Sequence, residues 1–390
     1  MGKKVGFGVV GIGNMGNSHV ISMNILPHTE LVAVCDRNPD AFNKIDEKVR
    51  AKIKCTTDYE EFLQTPGLEA VLVAVPHYDH PDLAIAAMEH GKHVIVEKPI
   101  AVHKAEAERL IAAARKHPEL IKSAMFNQRT LPAHVKLKQL IDSGALGKIF
   151  RVNWIITDWF RSQMYYDSGD WRATWGGEGG GVLLNQCPHQ LDLMQWFFGM
   201  PKMVSARVCI GKYHDIEVED DVNAYLEYAD GMTGNFITST GEAPGTNRLE
   251  VMADWGRVIL ENGKIEFKRN EIPCLEYTRT STKSFGKQPF WDCSVNLPPA
   301  VPGRSGHQLV IENVANAIIN GTELIAPLEE GINGLELGNA ILMSGLLKQD
   351  VVLPVDSAKY AGMLADLVKN STHSRKVIRQ ADNSSFSSSH

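Results

Sequence analysis

Val5-Gly6-Phe7-Gly8-Val9-Val10-Gly11-Ile12-Gly13-Asn14-Met15-Gly16 is the stretch whose reading decides the fold of the first part of this chain. An apolar run leads into a Gly-x-Gly-x-x-Gly turn, and the turn into a predicted helix. The first glycine permits the tight turn, and the second lets the backbone approach a pyrophosphate. The third lets helix and strand pack closely, with phosphate at the positive helix end. Alone, the pattern is weak and would also serve a purely structural turn. Its context is right: a dinucleotide site carries an acidic residue about 20 residues further on, and there Asp36 closes the next apolar run. A carboxylate at that place accepts ribose hydroxyls and repels a 2′-phosphate, which favours NAD. Arg37 beside it could pair with that phosphate, which keeps NADP open as the second choice.

Working outward, the runs 31–35, 70–75, 93–96 and 121–126 are nearly continuous in apolar residues, as strands covered on both faces are. Helical spacing over 81–90 and 105–116 separates them, the alternation expected of βαβ units and a parallel sheet. From about residue 148 the texture changes. The runs 150–154, 204–210, 222–228, 233–239 and 257–260 read as strands joined by turn residues such as Ala229-Asp230-Gly231, which favours a largely antiparallel sheet. Helical patterns occupy 189–198, 307–319 and 331–347, the second stopping at Asn320-Gly321 as a C-terminal glycine predicts. The expected class is α/β. A Rossmann dinucleotide-binding domain covers 1–128, and an α+β domain with a large, mostly antiparallel open sheet covers 129–370. The serine-rich end, 371–390, reads as a disordered tail.

A chain of 390 residues exceeds one ordinary core, so two domains are the default. With 44% hydrophobic and 22% charged residues it has the composition of a soluble globular protein. A net charge of -6 argues against a broad nucleic-acid footprint, and no apolar stretch approaches a membrane span. No secretory-leader pattern precedes the first strand, and the six cysteines are scattered without a Cys-x-x-Cys pair. A reduced, cytoplasmic protein with neither nucleic-acid nor membrane partners is the expectation.

The chemistry-bearing residues fall in three places. Glu97-Lys98-Pro99 follows the run 93–96, and a lysine at the carboxyl end of a parallel strand points into the crevice where open α/β sheets bind ligands. Beside a nicotinamide it could help move a proton; a surface lysine before a strand-ending proline is the plain alternative. Pro76, His77 and His80 lie in another crevice loop. Only Asp79 accompanies the two histidines, with no second cluster at ligand spacing, so a nicotinamide-pocket loop is favoured over a metal site. Further on, five glycines occur within 176–181, which demands unusual backbone angles or close approach to another group. Pro188 then opens a helix. If that helix reaches back to residue 185, Asn185, His189 and Asp192 share a face. Histidine is the natural general base for a secondary alcohol near neutral pH, although a lone helical histidine is often structural. Between these lies a segment rich in aromatics and arginines that includes Arg161, Tyr165, Trp171 and Arg172. Carbohydrate sites use flat aromatic faces against C–H surfaces and planar donors against hydroxyls. A packing cluster or an oligomer contact would use the same residues.

Together with Asn127-Gln128-Arg129 and the helix at 307–321, these motifs resemble the Gfo/Idh/MocA family of oxidoreductases, over about residues 5–347. The resemblance implies hydride transfer between a sugar-like secondary alcohol and NAD, with Lys98 in the place of the family's lysine and His189 in that of its catalytic histidine. The expected cofactor contacts are Gly11, Gly13, Asn14, Met15, Gly16, Asp36, Arg37, Pro76, His77, His80, Glu97, Lys98 and Asn127. Asp192, Arg161, Trp171, Arg172 and Tyr165 are expected at the substrate. Family members commonly carry an aspartate where this chain has Asn185. An amide cannot relay a proton, so Asn185 is assigned to a substrate hydroxyl, and Lys98 and His189 keep the acid–base work. The Ser-Gly-Asp-Trp-Arg stretch resembles members acting on glucosides, levoglucosan or related pyranoses, which implies oxidation at a ring hydroxyl, C3 of a glucose-like glycoside foremost. An inositol is the closest rival, and acidic or phosphorylated sugars are less favoured despite Arg161 and Arg172. A non-catalytic NAD-sensing regulator would need neither Lys98 nor His189, and a scaffold would need only the open sheet. That sheet is expected to join subunits in a homodimer or homotetramer.

Overall fold

Every residue of β1 (Val5–Val10) is buried, the condition that a strand covered on both faces imposes. In the computed structural model, which describes residues 2–373, five parallel strands join it: β2 (Thr29–Cys35), β3 (Lys54–Thr56), β4 (Ala70–Val73), β5 (His93–Val96) and β6 (Lys122–Ala124). Their order is β3-β2-β1-β4-β5-β6, the Rossmann order with its reversal between β1 and β4. Because the strands are all parallel, the loops at their carboxyl ends share one end of the sheet. That end holds the glycine turn after β1, Asp36 after β2, the 74–79 loop after β4 and Lys98 after β5.

A second sheet contains β7 (Ile149–Ile156), β8 (Met203–Ile210), β9 (Glu219–Glu227), β10 (Thr233–Ser239), β11 (Asn247–Ala253), β12 (Gly256–Glu261), β13 (Lys264–Asn270), β14 (Phe290–Cys293) and β15 (Val351–Val352). The order is β14-β13-β12-β11-β7-β10-β9-β8-β15. Its pairings are antiparallel except β7 with β10, where Arg151 faces Thr233 and Ile156 faces Thr238. Burial alternates along β9 and β10, as it does in a sheet with one covered face.

The chain divides into two compact units, and not at a single point. The first contains the residues up to Thr130 together with Gly177–Gly179 and Val301–Leu335; the second contains Leu131–Gly176, Gly180–Ala300 and the rest. A division at 128/129 therefore misplaces the helix Gly306–Asn320. Its Val310, Ile311, Val314 and Ala315 enter the same core cluster as Val5, Phe7, Val9, Leu72 and Ile95. The helix has a capping box between Ser305 and Gln308 and ends on Gly321 in the left-handed region, φ 69°, where glycine meets no steric penalty.

Several strands differ from expectation. The runs 70–75 and 121–126 shorten to β4 and β6, and β3, β11, β13, β14 and β15 were not anticipated. β3 and β15 are too short to set a pattern, and β11 and β13 carry charged residues that hide their apolar face. Residues 374–390 of the expected tail lie outside the described residues. Among those described, no helix is long and apolar enough to cross a membrane.

Candidate active site

The glycine turn is shaped by contacts that admit no side chain. Gly11 has φ 87°, and a Cβ there would meet the Ala74 carbonyl oxygen at 2.4 Å; a Cβ on Gly16 would meet the Gly11 oxygen at 1.7 Å. A Cβ on Gly13, by contrast, would meet nothing within 4 Å, so that position borders open space that an outside group can fill. The helix Asn14–Ile25 begins here with no side-chain cap on Gly13 and no acidic residue in its first turn. Its positive end is left to an anion. Asn14 is exposed and Met15 half-buried. Asp36 braces the turn: its Oδ2 accepts from the Ile12 N–H at 2.6 Å and its Oδ1 from the Asn38 N–H at 2.8 Å. Arg37 reaches away to Asp79 at 3.1 Å, an exposed pair of little energetic weight. These features fit a dinucleotide: the turn and helix end suit the pyrophosphate, and Asp36 suits the ribose.

The loop after β5 is held from below by a buried polar cluster. Glu97 accepts from the Lys98 N–H at 3.0 Å, and its other oxygen lies 2.6 Å from Nε2 of His19. Burial alone would push the Glu97 carboxyl up, but the His19 hydrogen bond and nearby positive charge, that of Lys98 included, hold it well below the usual carboxylate range. Burial drives the His307 ring down to about 4 against the pull of Glu97. A neutral His307 can then accept from Asn127 Nδ2, at 3.3 Å. His80 spans the carbonyls of Pro99 (2.7 Å) and Val75 (2.8 Å); burial lowers its pKa, opposed by those carbonyls and by Glu97. His77, following Pro76, contacts the Glu178 carbonyl at 3.2 Å. Glu97, His80 and Asn127 thus have partners within the protein, and the first two hold the main chain at Lys98 and Pro99. Lys98 itself is half-buried. Among the described residues no group of three His, Cys, Asp or Glu could hold a metal.

In the second unit, the last glycine of the run, Gly181, is explained by Glu219. Gly181 N–H donates to both Glu219 oxygens at 2.9 Å, and Leu183 N–H to one at 3.1 Å. A Cβ on Gly181 would lie 2.0 Å from the Glu219 carbonyl oxygen; close approach is what this glycine supplies, whereas Gly179 supplies a φ of 79°. The helix Pro188–Phe198 starts at its proline, so Asn185 lies outside it, in a turn closed by its own N–H to the Gly181 carbonyl. The helical face expected for Asn185, His189 and Asp192 therefore holds only the last two, both buried. Asn185 joins a different group. The Tyr165 hydroxyl accepts from Arg172 Nη1 at 2.8 Å and from Asn185 Nδ2 and Gln186 Nε2 at 3.3 Å each. The Arg172 guanidinium lies 4.5 Å from the Tyr165 ring and 4.6 Å from that of Trp171, and Arg161 lies 5.1 Å from Tyr165.

With both halves described, comparison with known proteins is direct. Residues 5–124 match the oxidoreductase family with an NAD-binding Rossmann fold, and residues 134–259 match the GFO/IDH/MocA C-terminal domain. Oxidoreductase P35 of Formosa agariphila is 30% identical over 73% of this chain and 83% of its own length. The chain belongs to the Gfo/Idh/MocA oxidoreductase family. Among its relatives, the myo-inositol 2-dehydrogenase of Thermotoga maritima is 27% identical over 65% of this chain and 75% of its own. The WlbA dehydrogenase of Bordetella pertussis, solved in complex with NADH and UDP-GlcNAcA, superimposes with a TM-score of 0.76 at 26% identity, covering 91% of this chain and 99% of that one.

This Gfo/Idh/MocA protein is accordingly an NAD-binding oxidoreductase. Its His19, His307 and Glu219 escaped sequence reading. A histidine three residues after Gly16 and three acids in a row at 219–221 were the available signals. The Glu219 anchor gives a measurable expectation. Glu219→Gln turns one of the two oxygens facing Gly181 N–H into a donor, so stability falls by about 1–2 kcal/mol, read from the urea midpoint. An unchanged midpoint would remove the anchor role.

Proposed function

We propose that this enzyme moves a hydride between a ring secondary alcohol of a sugar and NAD, acting on C3 of a glucose-like glycoside. The observation that carries this is the set of unpaired buried atoms around Tyr165. Trp159 Nε1 and Arg161 Nε are donors without partners, and Gln186 Oε1 is an acceptor without one. A hydroxyl both donates and accepts, so a polyol can satisfy such a mixed set, and Arg172, held against the Tyr165 and Trp171 rings, brings a planar donor to the same place.

When bound, the nicotinamide supplies the hydride-exchanging carbon. His189 acts as general base and takes the alcohol proton. Lys98 steadies the negative charge that builds on that oxygen and hands protons on. Asn185, whose amide cannot relay a proton, and Asp192 orient the hydroxyls. The turn Gly11–Gly16 holds the pyrophosphate and Asp36 the ribose, which selects NAD over NADP. We place a homodimer or homotetramer contact on the second sheet.

A cyclitol is the second reading, favoured by the inositol-oxidising relative. A panel of glucosides, free aldoses, inositols and uronic acids, offered with NAD and with NADP, separates the two. The expected result is a keto-glycoside identified by NMR, formed with NAD. Product analysis accompanies absorbance, because a cofactor retained between turnovers gives no net NADH. Turnover of inositols alone would replace the glycoside reading, and equal use of NADP would overturn the role of Asp36.

A further inference from the structure

We propose that His214 and Asp220 form a clamp that positions the sugar-binding strap, residues 158–167, by holding the main chain at Arg161. The clamp rests on the reading that the Tyr165 group binds the sugar.

The geometry is restrictive. His214 Nδ1 lies 2.9 Å from Asp220 Oδ2, and its Nε2 lies 2.8 Å from the Arg161 carbonyl oxygen. Neither acceptor carries a hydrogen, so the two bonds are made together only when both ring nitrogens are protonated, as in an imidazolium. Asp220 is fully buried and also accepts from the main-chain N–H groups of Lys212 and Tyr213 at 2.8 Å and of His214 at 3.2 Å. A buried carboxylate facing a buried cation is the arrangement that makes each tolerable.

The strap has other ties, among them Asn247 Nδ2 donating to the Asp158 carboxylate at 3.1 Å and Arg172 to the Tyr165 hydroxyl. Arg161 N–H donates to the Thr240 carbonyl at 2.9 Å, the Tyr166 hydroxyl meets Thr240 Oγ1 at 2.9 Å, and Asp215 N–H donates to Gln163 Oε1 at 2.9 Å. The edge of the Tyr166 ring lies against the His214 ring, centroids 4.8 Å apart. The charged and titratable groups about the clamp are Asp220, Asp215, Tyr213, the Lys212–Asp221 pair and, on the strap, Arg161, Tyr166 and Asp158, whose carboxyl burial raises against the Asn247 bond and the Arg161 charge. Of the ties, His214 is the one that changes charge near neutral pH. The strap is thus pinned at residue 161, and Tyr165, four residues on and within the short helix Gln163–Asp167, receives Arg172, Asn185 and Gln186.

Burial alone would lower the His214 pKa, but its bonds to Asp220 and the Arg161 carbonyl, and the Asp220 charge, raise it above the ordinary 6.5. A raised folded-state pKa means the clamp is complete below that ordinary value. One of its two bonds is lost as pH rises through the raised value. Substrate affinity should therefore weaken on the alkaline side, while His189, acting as a base, gains from deprotonation there.

The test uses the full-length protein with the best substrate of the panel. His214→Phe keeps a ring against Tyr166 and removes both bonds. The expected result is a KM raised about 10- to 100-fold, a kcat changed less than about 3-fold and an unchanged affinity for NAD. The alkaline rise in KM also disappears. His214→Gln, which restores one donor, should recover part of the loss. An unaltered KM, or a pH dependence of KM that persists in the variant, would overturn the clamp. The 15N resonances of the His214 ring in the wild-type protein supply a readout independent of substrate and of variant folding. Two protonated nitrogens at about pH 6, titrating above the ordinary value, support the clamp even if no sugar is turned over. A ring with one proton at that pH refutes it even if sugars are oxidised.

Discussion

Lys98→Ala and His189→Ala each lower kcat on the true substrate by about 100- to 10,000-fold, the contribution of a positioned acid–base group. The two losses arise differently. Lys98 projects from the end of β5, while its peptide N–H is fixed by Glu97, so truncating the side chain removes a charge and leaves the loop in place. Affinity for NAD should then change little. His189 is buried in the first turn of its helix, and alanine there also leaves a cavity. His189→Gln, closer in volume, separates the base from the packing: it should lose nearly as much kcat and keep more stability. If either residue can be replaced with near-normal turnover, it has no part in the chemistry.

Gly16→Ala abolishes NAD binding and destabilises the free protein by about 3 kcal/mol, the upper end for forced overpacking. The added Cβ would sit 1.7 Å from the Gly11 carbonyl oxygen and 2.9 Å from its carbon. Both atoms are main chain in the turn that must receive the pyrophosphate, so neither can swing aside as a side-chain end would. Gly13→Ala is the control, since its Cβ meets no protein atom within 4 Å. Without nucleotide it should denature at the wild-type urea concentration, yet its affinity for NAD should fall, because the new methyl takes the room the phosphates need. A Gly13→Ala protein that binds NAD normally would move the pyrophosphate away from this turn.

How much could be read in advance follows from the range of the interactions. The first sheet was legible because strands buried on both faces are nearly uniform in polarity, as in β1, and because Gly11, Gly16 and Asp36 have fixed local jobs. β11 was not, since Arg248 and Glu250 alternate with its core residues and mask them. Lys98 and His189 stand out in the sequence through the motifs around them, and the alanine variants above test the roles proposed for them. The Glu97–His19 pair, the Glu219 anchor and the His214 contact to Arg161 do not stand out. Each joins residues dozens of positions apart, and an isolated buried acid or histidine looks like any other until its partner is seen. The helical face shared by Asn185, His189 and Asp192 failed for a local reason: the helix cannot be assumed to run back through Pro188, whose ring has no N–H to donate.

The helix Gly306–Asn320 also bears on the order in which the molecule can be made. Residues Val310, Ile311, Val314 and Ala315 cover apolar side chains of β1, β4 and β5, yet they leave the ribosome only after the strands of the second sheet down to β14. A nascent chain ending near residue 130 carries the whole cofactor turn with one flank of its sheet bare. Completing that flank requires closing a loop of well over a hundred residues, which slows the step and exposes the intermediate to aggregation. The nucleotide half begins first and finishes late, so a truncated N-terminal fragment is a poor surrogate for it.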